Sequence, residues 1–197
     1  MTTPVTARDR AKAERTDALL AAAADLFAGR GYSGVSLEDI GAAVGVSGPA
    51  VYRHFAGKQA LLAALLIGVS ERLVAGGAEV GAADATAHDR MRALVDFHVD
   101  FALGNAAVIR VQDRDLPHLT EDARAEVRRL QRAYIELWID SLSALIDADR
   151  DELRLRVQAC FGLLNSTPHS TSKALRRRAH TANTLSCMAL SALLADA

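Results

Sequence analysis

The sequence predicts an all-α chain in two parts, a small three-helix head followed by a larger helical body. Ala and Leu dominate, β-branched runs are scarce, and Pro occurs only 4 times in 197 residues, a composition that favours helix nearly throughout. Apolar residues recur at helical spacing from Leu19 onward. Between Ser36 and Phe55 two short helical patterns flank Gly45, which is the dimension and turn chemistry of a helix-turn-helix.

Each element has its own justification. Residues 1–7 are small and polar and are expected to be a disordered tail. From about Thr6 to Gly31 the stripe Leu19, Ala22, Ala23, Leu26 and Phe27 predicts one helix, which Gly29 and Gly31 end. Ser36 is placed to cap the next helix at Asp39, with Leu37, Ile40, Ala43 and Val44 inward. Ser47 is expected to cap the third, with Pro49 in its first turn and an end near Phe55. A fourth helix spans roughly Lys58 to Ala78, and Gly76-Gly77 with residues 81–84 read as the clearest linker-like passage. The division expected is a head over 1–57 and a body over 58–197, the boundary falling within the fourth helix or just after it. Further helices are expected over about 87–103, 105–111, 120–147, 150–165 and 172–194.

Composition excludes several classes. Half the residues are hydrophobic and 24% are charged, a folded globular balance. The net charge of −1 does not by itself announce a nucleic-acid partner, so any such contact must be local. Cys160 and Cys187 have no ligand spacing and read as buried free thiols. Isolated histidines such as His88, His98, His169 and His180 give no metal site, and neither a nucleophile triad nor a Gly-rich phosphate loop is present. The expectation is a non-enzyme without metal or cofactor. No apolar run reaches the ~18 residues of a membrane span, and the charged stretch from Arg8 lacks a secretory core; a cytoplasmic protein without membrane contact is expected.

In a helix-turn-helix the second helix enters the major groove while the first braces it. Here that helix presents Ser47, Gly48, Pro49 and Ala50 at its tip and Tyr52, Arg53 and His54 behind, with Val46, Val51 and Phe55 inward. Pro49 or Ala50 can touch a thymine methyl, and Arg53 can pair bidentately with guanine. The run from Val46 to Lys58, followed by Ala60-Leu61-Leu62, closely resembles the signature of the tetracycline-repressor (TetR) family, and Gly31-Tyr32, Ser36 and Asp39-Ile40-Ala42 match its pattern as well. The resemblance covers roughly residues 12–65 and departs at Gly48, where relatives often carry a longer polar side chain. It implies a homeodomain-like head with phosphate contacts from Tyr52, His54 and Lys58; Ser36 and the start of its helix are further phosphate candidates.

Residues 1–58 hold seven Lys or Arg against six Asp or Glu, and four of the seven lie in 8–15. So weak a field favours two heads on one palindrome, with an N-terminal arm adding phosphate or minor-groove contacts. The resemblance further implies a C-terminal ligand-binding and dimerisation domain. Its cavity would use Phe97, His98, Phe101, Tyr134, Trp138, Phe161, Asn165 and His169. Its dimer faces would use Leu153, Val157, Phe161, Leu164, Leu175, Ala182, Leu185, Ala189 and Leu193. The expected partners are double-stranded operator DNA, a second copy of the chain and a small-molecule inducer. The clusters at Arg110–Asp115 and Arg176–Arg178 suggest an acyl-CoA or other lipid-like ligand. The reading is a homodimeric repressor released by a small apolar ligand; the alternatives are a helical interaction module or a ligand-independent DNA-binding regulator.

Overall fold

The computed structural model describes residues 6–81 and 86–195. Residues 1–5 of the expected tail and 82–84 of the linker-like passage lie outside the described residues. No strand is present among the described residues, which form eleven α-helices.

Local chemistry sets the head. α1 (Ala7–Arg30) starts at a reciprocal capping box between Thr6 and Asp9 and stops at Gly31, whose φ of 79° admits the N–H to Phe27 O bond. α2 (Leu37–Ala43) starts at the expected Ser36–Asp39 capping box. Gly45, at φ 70°, makes the turn. α3 (Gly48–Val51) is one turn long rather than reaching Phe55: beyond Val51 the backbone tightens to three-residue bonds, Arg53 N to Ala50 O at 3.3 Å and His54 N to Val51 O at 2.9 Å, and residues 52–54 continue as turn. Ser47 holds the N-cap position, but its side chain makes no capping bond.

The body begins with α4 (Lys58–Gly81), α5 (Ala87–Gly104) and α6 (Ala106–Asp115), the last longer than expected because the chain stays helical up to the 3-10 turn at Pro117. α7 (Glu121–Leu142) ends before the expected 147, and α8 (Arg150–Asn165) is capped by Asp149. The expected last helix is broken into α10 (Lys173–Arg176) and α11 (Ala179–Leu193), preceded by the short α9 (Thr167–Ser170). At this break the Leu175 carbonyl accepts from Arg178 N at 3.1 Å and from the Thr181 hydroxyl at 2.7 Å. Cys160 is buried as expected, whereas Cys187 is exposed.

Two apolar cores result. The first joins Leu19, Phe27, Ile40, Val51 and Phe55 of the head to Leu61, Leu62, Leu65 and Leu66 of α4, and to Val111 and Val127 beyond. The second joins Met91, Leu94, Trp138, Leu142, Leu153, Val157, Leu164 and Leu193. The start of α4 thus packs with the head, and Leu73 touches both cores. Within Lys58–Val80 an 18-residue window has a mean hydropathy of 1.6, long and apolar enough for a membrane span by length and composition, contrary to expectation. Its buried leucines pack against protein, as in a core helix. Gly76 and Gly77 are helical and mark a close approach rather than a linker: a Cβ would stand 2.4 Å from the Phe97 ring and 2.7 Å from that of Tyr134.

Burial also corrects the expected dimer faces. Leu153, Val157, Leu164, Ala189 and Leu193 are buried within the protomer, Phe161, Ala182 and Leu185 pack half-buried on that core, and Leu175 alone is exposed. Helical period explains it, because the most apolar stripes face their own bundle. Leu62→Ala, at a fully buried position, is expected to destabilise the protein by about 2–5 kcal/mol, read as a lower urea midpoint.

Candidate nucleic-acid interface and the cavity behind it

The recognition turn is positioned from several sides. Val51 and Phe55 anchor it in the head core, and Val46 packs half-buried beside them. Gly41 lets α2 approach closely, since a Cβ there would lie 2.9 Å from Val46 O and 3.0 Å from Val51 Cγ2. His54 Nδ1 lies 3.0 Å from Thr16 Oγ1, tying the end of the turn to α1. Ser47, Pro49, Tyr52 and Arg53 are left exposed, and Gly48 and Ala50 are half-exposed. Gly48 rests against Glu38, 3.2 Å from where a Cβ would be, so a larger residue there would have to displace that side chain.

Two expected phosphate ligands have other work in this structure. Lys58 Nζ donates to Tyr32 O at 2.9 Å and Val35 O at 2.8 Å and stands 4.4 Å over the Tyr32 ring, so it braces the loop between α1 and α2. Ser36 Oγ donates to Asp39 Oδ2 and accepts from Asp39 N. The Asp39 carboxyl, held below its usual range by the Ser36 backbone and side chain, places a negative charge at that helix start, against a phosphate.

Sequence reasoning missed a stripe beside the recognition turn. The expected N-terminal arm is the first turns of α1, where Arg8, Lys12 and Arg15 share one face and, with Asp9 among them, line a shallow groove of about 660 Å³ with Arg53 and His54. Their spacing of four and three was the available signal.

Behind the head, a half-open cavity of about 170 Å³ lies among five helices. Ser70 and Leu73 come from α4, Ile109 and Gln112 from α6, and Gln131 and Ile135 from α7. Of the expected residues, His98, Phe101, Tyr134, Phe161 and Asn165 line it. Trp138 stands behind, edge-on to His98 and Phe161. Phe97 packs on Gly76 outside it, and His169 is exposed, paired with Asp113 at 3.0 Å. Phe97 lies on the face of α5 turned toward Gly76 of α4, and the α9 turn carries His169 outward.

His98 is the polar centre of the cavity wall. Nε2 lies 3.2 Å from Asn165 Oδ1 and Nδ1 3.3 Å from Tyr134 Oη. A neutral ring satisfies both, donating from Nε2 and accepting the phenol proton at Nδ1. Burial drives the His98 pKa down to about 4, and burial pushes the Tyr134 phenol up. Because the folded pKa lies below the unfolded value near 6.5, the unfolded chain binds more protons between those pH values. Stability is therefore full above that window and falls as pH drops through it, by up to about 3 kcal/mol. His98→Gln is expected to flatten this part of a stability-against-pH curve measured by thermal unfolding.

Comparison with known proteins agrees with this geometry. Residues 19–65 match the family described as bacterial regulatory proteins, tetR family, and residues 84–169 match a tetracyclin repressor-like C-terminal domain. The chain is 26% identical over 168 residues to the HTH-type transcriptional repressor KstR2 of Rhodococcus jostii, covering 85% of this chain and 82% of that one. A TetR-family transcriptional regulator from Bordetella parapertussis has a similar fold, with a TM-score of 0.81 at 23% identity over 92% of this chain and 94% of that one. FadR from Bacillus subtilis, solved in complex with stearoyl-CoA, gives 0.70 at 18% identity over 91% and 97%. The head, the helical body and both matched segments agree, and the chain belongs to the TetR family of DNA-binding transcriptional regulators.

Proposed function

We propose that this regulator is a homodimeric repressor that leaves a palindromic operator when a small apolar ligand occupies the cavity. One observation carries the reading: α4, whose start is packed in the head, also supplies Ser70 and Leu73 to the cavity wall. α6 adds a second connection, since Arg114 donates to Phe27 O at the end of α1 and Gln59 donates to His118 O at 2.8 Å. The cavity holds about six water volumes at ~30 Å³ each. A larger guest, such as an acyl-CoA of the kind bound by the Bacillus protein, is taken to press on α4 and α6 as it enters this half-open cavity. Parting them tilts the heads out of register with successive major grooves. The output is operator occupancy rather than turnover, and it is exerted in the cytoplasm, where the DNA is.

Within each head, Tyr52 and the α1 stripe are assigned to phosphates and Arg53 to a base. Dimerisation is assigned to the outer faces of α8 and α11, where Leu155 is 66% and Met188 50% exposed beside Ala159, Gly162 and Ala192. The same expanse of apolar side chains would be unfavourable in water if left uncovered.

Mobility-shift titrations on the DNA upstream of the gene test this. Arg53→Ala should lose about 1–3 kcal/mol and relax preference at one base pair, while Lys12→Ala should lower the salt slope by about 1 for each head. Leu155→Glu with Met188→Glu should sediment as a monomer and bind the operator poorly. A dimeric double variant, or wild-type salt slope in Lys12→Ala, would contradict those assignments.

A further inference from the structure

We propose that a second, cationic cleft between α6, α10 and the end of α1 binds a phosphate-bearing anion. This rests on the ligand-responsive reading above and adds a ligand chemistry to it. The cleft has a volume of about 680 Å³ and is lined by Arg110, Lys173, Arg176 and Arg177, with Asp25 the one carboxylate among its lining residues. That size is in the range of small-molecule sites.

The four cations are not neutralised. Among the described residues none of them forms an ion pair with a carboxylate. Arg110 and Arg176 spend one guanidinium nitrogen each on the backbone carbonyls of Pro168 and Thr171, which fixes their direction without cancelling their charge. By contrast, Arg150 and Arg154 converge on Glu136, Arg129 on Glu126 and Arg156 on Glu152. Like charges gathered in one concave site repel one another and focus a positive field, which an anion relieves.

The cleft also supplies neutral donors. Ala106 and Ala107, the first residues of α6, line it, and the Asn105 side chain does not cap that helix because it donates back to Phe101 O at 3.0 Å. Guanidinium forks, one ammonium and free amide N–H groups together match the several oxygens of a phosphate ester better than a single carboxylate. The bound anion would tie α10 to α6, the helix that runs on past the cavity to Arg114 and the end of α1.

The test is calorimetric titration of the intact, DNA-free protein at fixed ionic strength with adenosine 3′,5′-bisphosphate and, separately, inorganic phosphate. Saturable binding of one equivalent per chain is expected, weakened at least tenfold in Lys173→Ala with Arg177→Ala and unchanged in Arg132→Ala. Tighter binding of the bisphosphate assigns an organic phosphate ester and equal binding assigns free phosphate; both support the site. No saturable binding of either, or binding indifferent to the two cleft substitutions or equally lost in Arg132→Ala, overturns it. The operator titrations contain neither phosphate probe, so they fail or succeed independently of this result.

Discussion

α4 is packed into two cores at once, and the rest of the molecule is arranged around that constraint. Its first half contributes Leu61, Leu62, Leu65 and Leu66 to the head, and its second half meets the bundle through Leu73 and Val74. Gly76 and Gly77 remove two side chains so that the rings of Phe97 and Tyr134 lie directly on its backbone. A helix held this closely along its length does not bend at a loose joint. Packed interiors respond to inserted volume by shifting elements rather than by compressing, so in the proposed mechanism a guest beside Ser70 would act on the head through a stiff rod.

The reading surface depends on the same rod. α3 is a single turn, too short to persist by its own hydrogen bonds. It takes its position from Val51 and Phe55 below, Gly41 behind and the His54–Thr16 contact at its end. Lys58, the first residue of α4, grips the carbonyls of Tyr32 and Val35. The residue that resembles a phosphate ligand by sequence thus fastens α4 to the loop leading into the helix-turn-helix. A motif position and a physical role agree in place while differing in what the side chain touches.

Legibility in the sequence followed the range of the interactions. Features set within three or four residues were readable: the Ser36–Asp39 box, the Gly31 and Gly45 turns, and the spans of α1, α5 and α8. Features set by tertiary packing were not. The apolar stripes of α8 and α11 give no sign of which face turns inward: Leu153 and Val157, which the sequence offers as dimer positions, are buried in the protomer, while Leu155 and Met188 are exposed. Gly76-Gly77 looked like a linker because sequence alone cannot show the two rings that require it. Five of the eight cavity residues that the family resemblance implies do line the cavity. The polar contributions of Ser70, Gln112 and Gln131 come from helices brought together only by the fold.

The most direct test of the α4 account inserts volume without a ligand. Ser70 is 3% exposed, lines the cavity and bonds only its own helix, at Leu66 O. Ser70→Phe places a ring between α4 and its neighbours, and the operator affinity of that variant is compared with wild type after circular dichroism verifies the fold. The account predicts at least about a tenfold loss, near 1.4 kcal/mol, in a folded dimer. A folded Ser70→Phe dimer that binds the operator as tightly as wild type would contradict it.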